Sequence, residues 1–264
     1  MLGKLLKYEL KATGRIFLPL FLALLLFAGI NRFTLSPEKF NAPAMISMIM
    51  YIIIMVGMFV MTFIMTIQRF YKNLLSDEGY LMLTLPVKPW KHIVSKLLVS
   101  MLWMVASGIA ALISILIIAL KKGDFTRAIT DFSTFYHRAF EQFGASIYLL
   151  SFEIILGILI SLASGILIVY ASIAIGHLFS QHKMLATFGA FIVLSTLSQV
   201  LFMLISLIPG KAFFPNIHVS SDDFRSMQHL IQWGIAYGIM FIGLISAAYF
   251  AVTNYILGKR LNLE

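Results

Sequence analysis

The chain has 264 residues, is 60% hydrophobic and only 12% charged, carries a formal charge of +9 and has a mean hydropathy of +0.94. Soluble domains are roughly 45–50% apolar and ~25% charged, so a soluble enzyme or nucleic-acid-binding domain is excluded and an integral membrane protein is expected. No cysteine occurs, which removes disulfides, thiolate catalysis and cysteine-based metal sites.

Taken in chain order, residues 1–14 read as an amphipathic helix. Leu2, Leu6 and Leu10 recur at four-residue intervals, and Lys4, Lys7, Lys11 and Arg15 form a basic stripe suited to an anionic lipid surface, or a positive flank that only sets topology. A bilayer core needs about 20 mostly apolar residues per helix, and six segments approach or meet that length: 16–33, 43–67, 97–120, 146–170, 184–208 and 230–257. The first is bracketed by Arg15 and Arg32, both able to snorkel to the interfaces. Its long basic leader, with no small-residue cleavage site after Ala28 and Gly29, reads as a retained span rather than a cleaved signal.

The second span holds seven of the fifteen methionines, and Met55, Met58 and Met65 are candidates for a polarizable substrate wall. Because the seven are spread around the helix, ordinary packing or lipid contact competes with that reading. Residues 121–144 carry Phe125, Ile129, Phe132, Tyr136, Phe140 and Phe143 at helical spacing, which predicts an interfacial helix. Glu153 is the one acidic residue well inside a predicted span and a candidate for a substrate path, since a carboxylate at membrane depth is costly. Lying near a span edge, it also suits a neutral or interfacial role. Gly157, Ser161 and Gly165, and Gly234 and Gly238, fall at four-residue spacing, which lets helix backbones approach closely within a bundle or between subunits.

Topology follows from the twenty Lys and Arg residues. Twelve fall in the N-terminus, the second and fourth connectors and the C-terminus, and eight on the opposite face. By the positive-inside rule both termini and the 68–96 connector are cytoplasmic, so the charge follows membrane topology and calls for no nucleic acid.

That connector is the most distinctive segment. Ser76 can N-cap a helix whose first turn holds Asp77 and Glu78, where carboxylates meet the positive dipole end. Pro86 ends it. Pro89 then opens a second helix at Trp90 that continues through Lys96 into the third span. A short exposed helix carrying Tyr80, Leu81, Met82 and Leu83 is a surface for a partner protein to grip; a re-entrant or interfacial helix with no partner is the alternative.

No G-x-x-x-x-G-K-[ST], H-E-x-x-H or G-x-S-x-G motif is present. His177 and His182 are five residues apart, off one helical face, which argues against a metal pair. No catalytic residue, cofactor or metal site is therefore expected in this chain.

The stretches RFYKNLLSDEGYLMLTLPVKPWKHIVSKLL after the second span and YASIAIGHLFSQHKMLA after the fourth resemble small ABC-exporter permeases of Firmicutes-type bacteria. So do the six-span layout, the basic amphipathic N-terminus and the closing Lys259–Leu263. The resemblance implies an all-α permease with an N-terminal elbow helix, a short cytoplasmic coupling helix and a location in the bacterial plasma membrane. It implies pairing with a second permease, a copy or a related chain, and with two ATPase subunits that hold ATP and Mg. It makes Asp77, Glu78, Gly79, Tyr80, Leu81, Leu83 and Leu85, closed by Pro86, the contact with the ATPase. The whole chain is then one permease domain moving amphipathic or hydrophobic cargo such as a peptide, drug or lipid. An ion-gradient-driven transporter and a membrane immunity protein that binds toxic peptides are the alternatives.

Overall fold

Long apolar runs with few breakers leave the backbone one economical solution in lipid, where every N–H and C=O must be paired within its own segment. In the computed structural model the described residues are 2–34, 42–74, 88–119, 124–144, 146–179, 181–206 and 224–259. Seven helices account for nearly all of them: α1 (Leu2–Thr34), α2 (Ala42–Leu74), α3 (Pro89–Ala119), α4 (Asp124–Phe143), α5 (Ser146–Gly176), α6 (Lys183–Ser206) and α7 (Phe224–Lys259). Six of them, all but α4, are long and apolar enough to cross a membrane. The described residues are all-α, and the six apolar helices make this a multi-pass membrane protein.

The chain divides into two compact units, Met1–Phe135 and Tyr136–Glu264. The boundary falls inside α4. In the first unit α1 packs on both α2 and α3, and α2 packs on α3. Its apolar core has two parts, one of Leu24, Ala28, Tyr51, Met58, Ala110 and Ala111, the other of Phe17, Met65, Val99 and Trp103.

Polar pairs cross this three-helix interior at successive levels. Asn31 Nδ2 donates to the Ser47 carbonyl at 3.3 Å, Tyr51 and Ser114 hydroxyls pair at 2.9 Å, and Thr62 and Ser107 hydroxyls pair at 3.0 Å. Each interhelical bond of this kind adds about 0.6 kcal/mol in a membrane protein, and together they set the register. Arg32 adds a cap, its guanidinium donating to the Ile117 carbonyl at the end of α3 at 3.0 Å.

α1 differs from the expected division into an elbow helix and a span, because one helix runs from Leu2 to Thr34. The buried face of the basic segment, through Glu9 and Thr13, continues in register into Phe17, Leu24 and Ala28, so nothing in packing marks a break. At 1.5 Å per residue its 33 residues extend about 50 Å against a hydrocarbon core of about 30 Å.

The helix expected at 121–144 is α4, with Ile129, Phe132 and Phe135 exposed. Gly144 closes it at φ 56°, its N–H donating to the Phe140 carbonyl at 2.8 Å, a left-handed C-terminal cap that favours glycine. In the second unit α5 packs against α6 and α7. Burial concentrates in the C-terminal half of α5, from Ile166 to Gly176, and α6 has no buried residue.

Candidate functional site

The most unusual chemistry among the described residues is an ion cluster inside the first unit. Helical periodicity puts Glu9, Thr13 and Phe17 on one face of α1, all buried, while Lys4, Lys7, Lys11 and Arg15 are exposed. Glu9 is thus the single carboxylate of α1 and points inward. Lys96 of α3 donates to Glu9 Oε1 at 2.6 Å, and Arg69 of α2 lies 3.7 Å from Oε2. The Lys96 side chain is 2% exposed, that of Glu9 10% and that of Arg69 28%.

Further contacts tie this turn of α1 to α3. Thr13 Oγ1 donates to the Glu9 carbonyl at 2.8 Å and accepts from Trp103 Nε1 at 2.7 Å. The Trp103 ring stacks on Phe17, 4.6 Å between centroids and 18° between planes. One turn before Lys96, His92 is buried with Nε2 unpaired.

The space among these side chains is about 10 Å³, room for at most one water and too small for a substrate. Among the described residues no group of three His, Asp or Glu can hold a metal ion. What the cluster does is mechanical: it joins three helices through one buried carboxylate. Arg69 lies about 8 Å before the end of α2, and Lys96 about 10 Å after the start of α3. Both stems of the 68–96 connector are therefore tied to α1.

The expected ATPase-contact residues, Asp77, Glu78, Gly79, Tyr80, Leu81, Leu83, Leu85 and Pro86, lie outside the described residues. The expectation that Pro89 begins a helix continuous with the third span is met by α3. Met58 is fully buried in the first core, Met65 is buried against Phe17 and Trp103, and Met55 packs at the edge of the first core. Glu153 belongs to the second unit, half-buried on α5, with Oε2 enclosed and without a hydrogen-bond partner.

Glu9, Arg69, Lys96 and Trp103 match no site motif in the sequence. The available signal was a lone carboxylate in a segment otherwise charged only by lysine and arginine. Comparison of the chain with protein-family models, with curated proteins and with solved structures found no match.

Proposed function

We propose that the chain is the permease subunit of an ATP-driven exporter of the bacterial plasma membrane, with both termini and the 68–96 connector cytoplasmic. A separate ATPase subunit, in two copies, supplies ATP hydrolysis, and a second permease completes the transporter. Asp77–Pro86 is the segment the ATPase grips, the first turns of α1 serve as the elbow, and the cargo is amphipathic or hydrophobic. The observation that carries this reading is the ion cluster. A connector that passes force into a membrane bundle needs rigid stems, and Glu9 ties Arg69 and Lys96, one on each stem, to a third helix.

ATP shifts such a machine only through differential affinity for its two states, so the linkage between connector and bundle must not be slack. Deleting residues 77–85 leaves insertion in the membrane intact and abolishes co-purification with the cognate ATPase. Undiminished co-purification refutes the reading.

The unpartnered Oε2 of Glu153 favours one rival, an ion-coupled transporter in which that carboxylate carries a proton. Transport in proteoliposomes that follows a proton gradient without ATP, and stops in Glu153→Gln, would establish it instead.

A further inference from the structure

The second unit contains a groove of about 500 Å³ beside the middle of its membrane-spanning helices. Its floor is α5, with Ser161 at the centre of that helix, beside Ser164 and Gly165. One wall is α6, including Gln199; the other is α7, around Ile245 at the middle of its membrane-spanning stretch. Two contacts between the walls close the ends. Phe202 and Phe241 rings meet at 5.2 Å, and Tyr249 donates to the Leu194 carbonyl at 3.3 Å. Eight residues separate these contacts along each helix, which leaves about 12 Å between them.

Those dimensions decide what fits. A transmembrane helix is about 10 Å wide and about 30 Å long, so a helix of a second copy cannot lie in a groove bridged at both ends. The lining decides the chemistry. No lining residue is charged, so an ionic occupant would sit at the midplane without a counter-ion. Ser161 and Ser164 make no hydrogen bond among the described residues, and the Gln199 amide reaches only Ser195, at 3.4 Å. A serine hydroxyl can turn to its own helix carbonyl, but a hydrocarbon chain leaves most of the Gln199 amide unpaired in an apolar medium, at a cost. A lipid keeps its polar part at the interface and offers the midplane only such a chain.

We propose that this groove binds a short, uncharged hydrophobic peptide segment, whose amides pair with Ser161, Ser164 and Gln199 and whose side chains fill the aromatic and isoleucine walls. An extended chain advances about 3.4 Å per residue, so the groove takes three to four residues. The assignment of this peptide as cargo rests on the exporter reading; the binding itself does not.

The test uses the purified full chain in nanodiscs without any ATPase, and the blocked tripeptide acetyl-Leu-Phe-Leu-amide carrying a diazirine. Binding is saturable, and the label falls on residues 194–202 and 241–249. Gln199→Leu weakens binding about tenfold, the loss of one hydrogen bond. A side chain at Gly165 meets nothing within 4 Å at its Cβ, so Gly165→Leu keeps its helical content and blocks binding by filling the groove. Replacing the central residue of the probe by lysine or glutamate abolishes binding. The inference is overturned by non-saturable labelling, by equal affinity for a charged probe, by Gln199→Leu binding as the wild type does, or by equal displacement with a monoacyl lipid. Loss of ATPase association on deleting the connector is a separate readout, so the two readings fail separately.

Discussion

Removing Glu9 and removing Lys96 should have unequal consequences, although the two form one ion pair. In Glu9→Gln the Lys96 ammonium, with its side chain 2% exposed, loses its carboxylate partner inside the bundle. Breaking a buried pair from one side costs about 3–5 kcal/mol. In Lys96→Met the Glu9 carboxylate retains Arg69 at 3.7 Å, a side chain 28% exposed to its surroundings, and the expected loss is about 1–3 kcal/mol. The double variant Glu9→Met/Lys96→Met replaces both with apolar groups of similar length. It should lie within about 2 kcal/mol of the wild type, because buried pairs exchanged for packed apolar side chains are often neutral. Unfolding of the detergent-solubilised protein can be followed by tryptophan fluorescence. Trp103 stacks on Phe17 and bonds Thr13 beside the cluster, so it reports separation of α1 from α3. A Lys96→Met loss equal to or larger than that of Glu9→Gln, or a double variant less stable than Glu9→Gln, refutes the account.

Two further substitutions test the packing. Gly176→Ala should destabilise the α5–α6 connection by about 1–3 kcal/mol, since its Cβ would lie 2.7 Å from the Thr187 nitrogen and 2.8 Å from its Cα. Gly165→Ala, with nothing within 4 Å, should be neutral or gain up to about 1 kcal/mol from helix propensity; thermal unfolding of the two side by side checks the contrast. Trp103→Phe keeps the stacking on Phe17 but removes the Nε1–H donor to Thr13, for a loss of about 1 kcal/mol in thermal unfolding followed by circular dichroism.

Element type and approximate extent were legible because membrane helices declare themselves locally. Length and hydropathy predicted six spans, and Phe125, Ile129, Phe132 and Tyr136 at three- and four-residue spacing predicted α4. Pro89 as a helix start was legible for the same reason, since a missing N–H is free at the first turn. The ends of α1 and α2 were less so. Packing carries α2 on to Leu74, where Phe70 and Leu74 are fully buried, well beyond the last residue that hydropathy marks as a span.

The same local rules pick out the wrong face of the first segment. Its charge pattern pointed to a lipid surface, and the exposed Lys4, Lys7, Lys11 and Arg15 accord with a solvated or headgroup-facing stripe. The opposite face carries the site. Periodicity puts Glu9 in line with Thr13 and Phe17, but says nothing of what stands across from that line. Arg69 and Lys96 lie 60 and 87 residues further along the chain. Only the packing of α2 and α3 against α1 brings them to one carboxylate.

By itself, then, the sequence determined that the protein is a membrane-spanning helical bundle, where its helices begin and end to within a turn or two, and that it carries no recognisable nucleotide or metal motif. Those properties follow from short-range sterics and the cost of unpaired backbone in lipid. Tertiary structure alone decided that Glu9 is a three-helix tie, that Met58 and Met65 are core, and that Ser161, Ser164 and Gln199 share a groove. Each of these depends on which helix face meets which, and small differences among many long-range contacts settle that.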